Sequence, residues 1–400
     1  MSSDLYTRDL DSFEPVARIV VIGVGGAGNN AVNRMIDENI QNVEFYVMNT
    51  DKQALSTSKA PNRIVLGGPE TRGLGAGGDP EKGKEAAEYS AEEIKKVVKD
   101  ADMVFIAAGM GKGTGTGASP VIARLAKEAG ALTVAIVTRP FSFEGKERTT
   151  NAVKGLNDLI EQVDSLIIVS NDKLLYSSGN VPMDKAFKDS DSVLSKSVQT
   201  VADLVLLPGT VNLDFADVKS TLQNGGIALI GYGTGSGENA AIEAAESAIN
   251  NSLLETSIAG ARKVICMLTM GDKVTMYNTE RCVRRINEAA GGSIDVKFGF
   301  STNPALGDSI ICSVIASDFP KDSISLEGPT LAAPTSSAEV GYGVEDSVSK
   351  VVQQSIEEEE KASDSNSNIA KGLLPNFLKG SLNLDEEEPE SGHDDEDFGF

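Results

Sequence analysis

Two glycine-rich loops, each set between a short apolar run and a longer amphipathic segment, limit what this 400-residue chain can fold into. The first is Gly23-Val24-Gly25-Gly26-Ala27-Gly28-Asn29-Asn30, after the strand-like run Arg18–Gly23 and leading into a helical pattern over Asn29–Asn39. The second is Gly109-Met110-Gly111-Lys112-Gly113-Thr114-Gly115-Thr116-Gly117, after the run Asp102–Ala108 and before a helix over Pro120–Ala129. Where a strand ends in glycines and passes into a helix, backbone N–H groups can meet an anion. Any Cβ would hold the chain away from a phosphate, and the helix start supplies donors. The first loop satisfies G-x-G-x-x-G, which suits a dinucleotide as well as a mononucleotide, and a tight packing turn would also explain it. The second is not a Walker A loop, because Lys112 precedes Gly113 and not Ser or Thr. Its alternating Gly and Thr give close backbone approach plus hydroxyls for phosphate oxygens or a metal ion. Two such cradles on one sheet are hard to explain by packing. A third stretch, Thr71–Pro80, has glycines that could wrap a terminal phosphate or form a flexible loop; its length without secondary structure favours function.

The rest of the first half alternates in the same way. Strands are expected at Val43–Asn49, Ala131–Thr138 and Ser165–Ser170, and helices at Glu81–Lys99 and Lys146–Val163. Strands separated by helices predict βαβ units and a parallel sheet, with ligands bound beyond the carboxyl ends of the strands. Apolar residues at Ala186, Phe187, Val193, Leu194, Val198, Val201, Ala202 and Val205 fit one long helix from Pro182 to Leu207, stopped by Pro208-Gly209. A second α/β unit follows without a further glycine cradle. Its helices are Asp214–Asn224, Asn239–Asn251 and Thr279–Ala290; its strands are Gly226–Gly231, Lys263–Thr269, Ile294–Phe300 and Ser309–Ile315. The expected organisation is therefore a flexible N-terminus (1–15), a Rossmann-like nucleotide-binding domain that includes the long helix (16–207), a smaller α/β domain (208–318), and a disordered acidic linker and tail (319–400).

Charge removes several function classes. A net charge of −23 argues against nucleic-acid backbone binding, which needs clustered Lys and Arg, and against charge-driven docking on anionic lipid. The single histidine, His393, lies in the acidic tail, so Ser-His catalysis and histidine zinc sites are excluded. Cys266, Cys282 and Cys312 are too far apart in sequence for a CxxC site or a disulfide framework and fit a reducing cytoplasm. Met1–Pro15 lacks the apolar core of a signal peptide, and no apolar run approaches the ~20 residues needed to span a bilayer. Residues 331–400 hold 17 acidic and 4 basic side chains, a disordered composition interrupted by Leu373-Leu374-Pro375-Asn376-Phe377-Leu378-Lys379. An apolar island in a solvated tail marks a peptide that folds onto a partner.

Taken together these motifs resemble the FtsZ family of tubulin-like cell-division GTPases, over about Val16 to Asp318. Gly109–Gly117 resembles the family signature GGGTGTG, with Lys112 where a glycine is usual. The resemblance implies GTP or GDP as the ligand and Gly25, Gly26, Ala27, Asn29 and Asn30 as its first phosphate loop. Asn49-Thr50-Asp51 with Gln53-Ala54-Leu55, and Gly75, Ala76 and Gly77 within Gly73–Pro80, match the next two loops. Gly111, Lys112, Gly113, Thr114, Gly115, Thr116 and Gly117 supply the signature loop. By the same match Glu144 accepts from sugar hydroxyls, Arg148 meets the nucleotide, Asn171 contacts ribose or base, and Phe187 and Asp191 stack on and read the guanine. Asp191 follows the archaeal pattern, where bacterial relatives usually carry Asn. A carboxylate there can accept from guanine N1–H and the exocyclic amine together, which adenine does not offer.

Asn212-Leu213-Asp214-Phe215-Ala216-Asp217 matches the family's NxDxxD loop. Two acids three apart at a helix start are also explained by capping and dipole compensation. The resemblance implies more: Asn212, Asp214 and Asp217 enter the nucleotide pocket of the next subunit, where the acids orient the water that attacks the γ-phosphate and Mg²⁺ offsets the charge. No protein side chain is assigned as a metal ligand. It also implies a head-to-tail homopolymer, since a top face on a bottom face builds an open filament. The implied setting is a cell-division ring at mid-cell in the cytoplasm. Residues 373–379 would grip membrane-anchor or division proteins through a linker reaching roughly 40 Å r.m.s. for its ~50 residues. Two alternatives stand at this point. A nicotinamide-dependent dehydrogenase rests on Gly23, Gly25 and Gly28, and needs an acidic residue about 20 positions on; Asp51 lies a little far, and the second cradle has no role in it. A non-hydrolysing structural paralogue is the other; Lys112 leaves room for it, and the pair Asp214 and Asp217 argues against it.

Overall fold

Continuous apolar runs make the first strands. In the computed structural model β1 (Ile19–Val24), β4 (Met103–Gly109), β5 (Leu132–Arg139) and β6 (Ser165–Ser170) are buried almost throughout, as parallel strands covered on both faces must be. The structure describes residues 17–320 except 70, 179–181, 207–209, 212, 251–256, 293 and 295, together with 324 and 326. The expected N-terminal segment, the acidic tail and the peptide at 373–379 lie outside the described residues.

β2 (Glu44–Asn49) and β3 (Asn62–Val65) extend the parallel sheet on one side. On the other come β7 (Gly226–Gly235), β8 (Lys263–Met270), β9 (Val296–Thr302) and β10 (Ile310–Ser317). The strand order is β3-β2-β1-β4-β5-β6-β7-β10-β8-β9. β7 joins the halves: Gly226–Ala228 pair in parallel with β6, and Leu229–Gly235 pair antiparallel with β10. The second half is thus mixed, since β10 is antiparallel to both β7 and β8, whereas β9 is parallel to β8.

Helices cover both faces. α1 (Gly25–Asp37), the long α8 (Met183–Leu206) and α9 (Phe215–Leu222) pack on one face, against Ile19, Val21, Met103 and Phe105. α3 (Pro80–Tyr89), α4 (Ala91–Val98), α5 (Gly113–Glu128) and α6 (Lys146–Ile160) cover the other, against Val20, Ile22, Val104 and Ile106. That alternation along single strands is the period of two expected of pleated backbone. α10 (Ala240–Ile249) and α11 (Met276–Ala290) pack on β7, β8 and β10. α2 (Lys52–Ser56) and α7 (Asn171–Ser178) are short connectors.

Three helices differ from expectation; α1 begins at Gly25 and not at Asn29, within the first glycine loop. The segment expected as one helix over Glu81–Lys99 breaks at Ser90, whose hydroxyl accepts from Gly67 N at 2.9 Å and leaves the helical conformation there. α5 begins at Gly113, so Pro120 lies inside it; the expected start was Pro120 itself. Only the Thr116 carbonyl loses its helical donor by this. The three cysteines, distant in sequence, are buried and free, with Cys266 Sγ and Cys312 Sγ 3.9 Å apart. Among the described residues no group of three or more His, Cys, Asp or Glu could hold a metal ion, and no helix is long and apolar enough to cross a membrane.

Candidate functional site

The order β3-β2-β1-β4-β5-β6 reverses direction between β1 and β4, and a crevice opens beyond the carboxyl ends of strands at such a switch point. Both glycine cradles lie there. Each strand runs directly into its helix: β1 into α1 at Gly25, β4 through three residues into α5 at Gly113. Neither helix start is capped by a side chain, so the first N–H groups of both are left for an anion. By contrast α2 and α3 are capped by Asp51 and Asp79.

The loops fit against one another as much as they frame an opening. A Cβ on Gly115 would lie 2.6 Å from Gly109 O, and one on Gly113 2.7 Å from Ala76 Cβ. Gly26, Gly77 and Gly78, in contrast, border open space. In the third loop Arg72, Gly73, Gly75, Gly77 and Gly78 all have positive φ, which explains why the stretch is built from glycine. Lys112 takes an ordinary extended conformation (φ −102°) and is exposed, so its Cβ costs the signature loop nothing.

Two residues assigned to ligand contact turn inward. Thr116 is buried and its hydroxyl accepts from Gly111 N at 2.8 Å. Asn29 is buried, and in the amide orientation that its neighbours require it donates to Gly23 O (3.0 Å) and Gly25 O (2.9 Å) and accepts from Asn49 Nδ2 (3.2 Å). Both brace the cradles. Thr50 and Thr114 share a hydroxyl–hydroxyl bond of 2.7 Å between the Asn49–Asp51 loop and the signature loop. Ala27 is half-buried and Asn30 exposed at the start of α1.

On the far side of the crevice Glu144 accepts from Phe141 N at 3.0 Å and pairs with Arg148 NH1. Asn171 is buried and accepts from Ser190 Oγ at 2.7 Å. Phe187 stands edge-on to Phe141 (5.2 Å between centroids), which stacks on Phe143 at 5.0 Å. Phe143 is 55% exposed and offers a second aromatic face beside Phe187 that the sequence did not single out. Burial pushes the Asp191 carboxyl up to about 6, against the opposing pull of Arg34 on α1.

The acid loop lies elsewhere. α8 begins at the crevice, where Phe187 and Ser190 touch residues beyond the ends of β5 and β6. It passes Glu38, just after α1, which accepts from Ser195 Oγ. Its 24 residues span about 36 Å at 1.5 Å each. α9 then packs at the opposite, amino end of the strands, where Leu222 O accepts from Ser165, the first residue of β6. Asp214 caps α9 by accepting from Asp217 N at 2.8 Å, and both acids reach solvent. Asp217 also pairs with Lys297 of β9 at 2.8 Å, a contact across 80 residues that no sequence motif signalled. Asn212 lies outside the described residues.

Comparison with known proteins agrees with this geometry. A model of the GTPase domain of the Tubulin/FtsZ family matches residues 18–179, and a model of the FtsZ-family C-terminal domain matches residues 226–320. An empty FtsZ dimer from M. jannaschii is similar at 40% sequence identity and a TM-score of 0.70, over 75% of this chain and 88% of that one. A GDP-bound monomer of CetZ1 from Haloferax volcanii shares the fold at 23% identity and a TM-score of 0.66, over 76% of this chain and 95% of that one. A GTPγS-bound protofilament of CetZ2 from the same organism does so at 23% and 0.64, over 76% and 94%. The dehydrogenase alternative falls, because the second cradle that it cannot use packs directly on the first. The chain belongs to the tubulin/FtsZ family of cytoskeletal GTP-binding GTPases, with both the GTPase domain and the FtsZ-type C-terminal domain.

Proposed function

We propose that this GTPase polymerises head-to-tail into filaments of a cell-division ring, and that each active site forms only where two subunits meet. One observation carries the reading: the cradle lies beyond the carboxyl ends of the strands and α9 with its acids packs by the amino end of β6, at the two ends of a helix about 36 Å long. No single chain brings Asp214 and Asp217 to its own phosphate loops. A copy stacked in line brings its acids to the neighbour's crevice, and repetition of that contact gives an open filament.

In this reading the uncapped starts of α1 and α5, with the glycines facing open space, hold the phosphates of GTP. Phe187 stacks on the guanine and the ionised Asp191 accepts its N1–H and amine. Glu144 and Arg148 exchange part of their mutual pairing for ribose and phosphate, and Asn171 does so for its bond to Ser190. Asp214 and Asp217 of the next subunit, with Asn212, orient the water for in-line attack on the γ-phosphorus, releasing GDP and phosphate. Mg²⁺ would supply charge neutralisation at the phosphates; the donors here suit a hydrated ion held mainly by phosphate oxygens. The polymer acts in the cytoplasm at mid-cell, and residues 373–379 tie it to membrane-anchor or division proteins. The 40% identity to an FtsZ supports the division role over the other roles open to this fold.

A mixing experiment tests the shared site. Gly115→Ser removes a working cradle, and Asp217→Asn removes the acid. Each variant alone is expected to release little phosphate from GTP. Mixed, a junction between an intact cradle and intact acids forms, and turnover returns with a threshold in total protein. Silence on mixing, or a wild-type rate per subunit that stays constant on dilution, would overturn the reading.

A further inference from the structure

We infer that Lys297 is a positioning residue for hydrolysis, holding the Asp217 carboxylate in the orientation it presents to the neighbouring subunit's nucleotide. This deepens the shared-site reading and rests on it.

The two acids of the loop are not equivalent. Asp214 spends one oxygen on Asp217 N to start α9. Asp217 feels Asp214 in return, and its stronger partner comes from outside α9. Its Oδ1 receives Lys297 Nζ at 2.8 Å, and the same ammonium donates to Ser220 Oγ at 2.6 Å. Ser220 in turn donates to Asp217 O at 2.9 Å, so Lys297, Ser220 and Asp217 close a ring of contacts over the first turn of α9. Lys297 is the second residue of β9, the last strand of the sheet, and comes from the C-terminal half of the chain.

The backbone repeats the tether. Val211 N donates to Phe300 O at 3.1 Å and Phe300 N to Val211 O at 3.0 Å, just ahead of the acids. A Cβ on Gly299 would lie 3.1 Å from Leu213 Cγ, so the segment lies directly along β9. The acid loop is thus registered on the edge strand by main-chain bonds at one end and by Lys297 at the other.

Two consequences follow. With Oδ1 held by Lys297, the carboxylate meets the neighbour's γ-phosphate in a fixed orientation. The ammonium also offsets part of the negative charge assembled when two acids approach a triphosphate, which lowers the repulsion that otherwise opposes the junction. The hydrogen bond from Lys297 keeps Asp217 below the ordinary carboxylate range, and Asp214 acts on it in the same direction. Asp217 therefore works as a fixed acceptor for water and is a weak proton acceptor.

Because the pair is partly exposed (32% and 37% of the side chains), it adds little to stability, and Lys297→Met is expected to fold. The test uses the full chain and three readouts: GTP affinity, the concentration threshold for assembly with GTPγS, and phosphate release per assembled subunit. Lys297→Met should lower turnover per assembled subunit about tenfold, the loss of one charge-assisted hydrogen bond. GTP affinity should stay within about twofold, the spread of a surface charge change, while the threshold rises because the ammonium no longer offsets charge at the junction. Lys297→Arg, which restores a donor to Asp217, should recover most of the rate. Asp217→Asn is the control. If it abolishes turnover while Lys297→Met matches wild type, the positioning role is wrong. A Lys297→Met rate that falls only as far as its assembly falls, or no recovery by Arg, also overturns it, because either would indicate support of the fold alone. Retained turnover in Asp217→Asn would remove the acid-loop reading itself, and this inference with it.

Discussion

The proposed recognition of guanine by Asp191 carries a pH signature. In the free protein burial raises its carboxyl from 3.8 to about 6, with Arg34 pulling the other way. Keeping that carboxylate ionised costs on the order of 3 kcal/mol, at most, relative to an exposed one. Burial disfavours the charged form, so this group's contribution to stability is present below pH 3.8 and is lost as pH rises through 6. Guanine reverses the preference, because its N1–H and amine need an acceptor and a protonated carboxyl offers one donor too many. GTP therefore binds the ionised form and must displace a proton below pH 6. With half-protonation at about 6, the apparent dissociation constant should rise about tenfold between pH 7 and pH 5. The phosphates of GTP titrate in the same range, so the measurement is a ratio. Asp191→Asn keeps an acceptor without a titrating proton, and any pH dependence it retains belongs to the nucleotide and the rest of the site. Fluorescent GTP displacement at pH 5, 6, 7 and 8 on both proteins should show the ratio of dissociation constants, wild type over variant, rising about tenfold toward pH 5. A flat ratio would refute the assignment of Asp191 to the base.

The other outcomes concern separate parts of the molecule. Burial pushes the Asp203 carboxyl on α8 up to about 7, so its penalty is absent below pH 4 and complete above pH 7. Asp203→Asn should stabilise the protein by about 2–4 kcal/mol at pH 8, less whatever the amide still costs, and not at pH 4, read by melting temperature at both. Gly115→Ser puts a Cβ 2.6 Å from Gly109 O. It should weaken GTP binding through about 1–3 kcal/mol of strain between the cradles, and unchanged affinity by calorimetry would show that the loops yield. Removing residues 373–379 should leave GTP turnover and sedimentation of polymer unchanged while filaments lose the mid-cell position in cells. Persistence of the ring would assign the anchor elsewhere.

What the sequence disclosed and what it hid have the same physical origin. β1, β4, β5 and β6 are buried on both faces, so apolar residues run without a break and each strand stands out. β3 is four residues, Asn-Arg-Ile-Val, at the edge of the sheet, and only Ile64 is buried; nothing in its composition marks a strand. The direction of β10 is decided by its partners β7 and β8, and its own residues are silent on it. The glycine loops were legible because their chemistry is backbone chemistry, written as missing side chains at strand ends. Which polar residues in them face the ligand was not legible. Thr116 and Asn29 are the residue types that serve phosphate, and here the hydroxyl bonds within its own loop while the amide ties its own loop to Asn49.

The longest readable element, α8, turns out to set the distance on which the proposed mechanism depends. Its inner stripe of Leu194, Val198 and Val201 packs on the sheet and makes the helix a strut fixed to the core. At one end it offers Phe187 and Asp191 to the crevice, and after the other the chain turns into the acid loop. Each residue added to such a strut would advance its far end by about 1.5 Å and rotate it by about 100°. In the proposed filament the residues that read the base and those that cut the phosphate are linked through this one helix, although they serve different nucleotides. A shift of α8 on nucleotide binding would move the acids that act on the neighbour, and β9 would move with them through Lys297 and the Val211–Phe300 bonds. In the proposed filament, the state of one pocket thereby bears on hydrolysis in the next, because one helix ends in both.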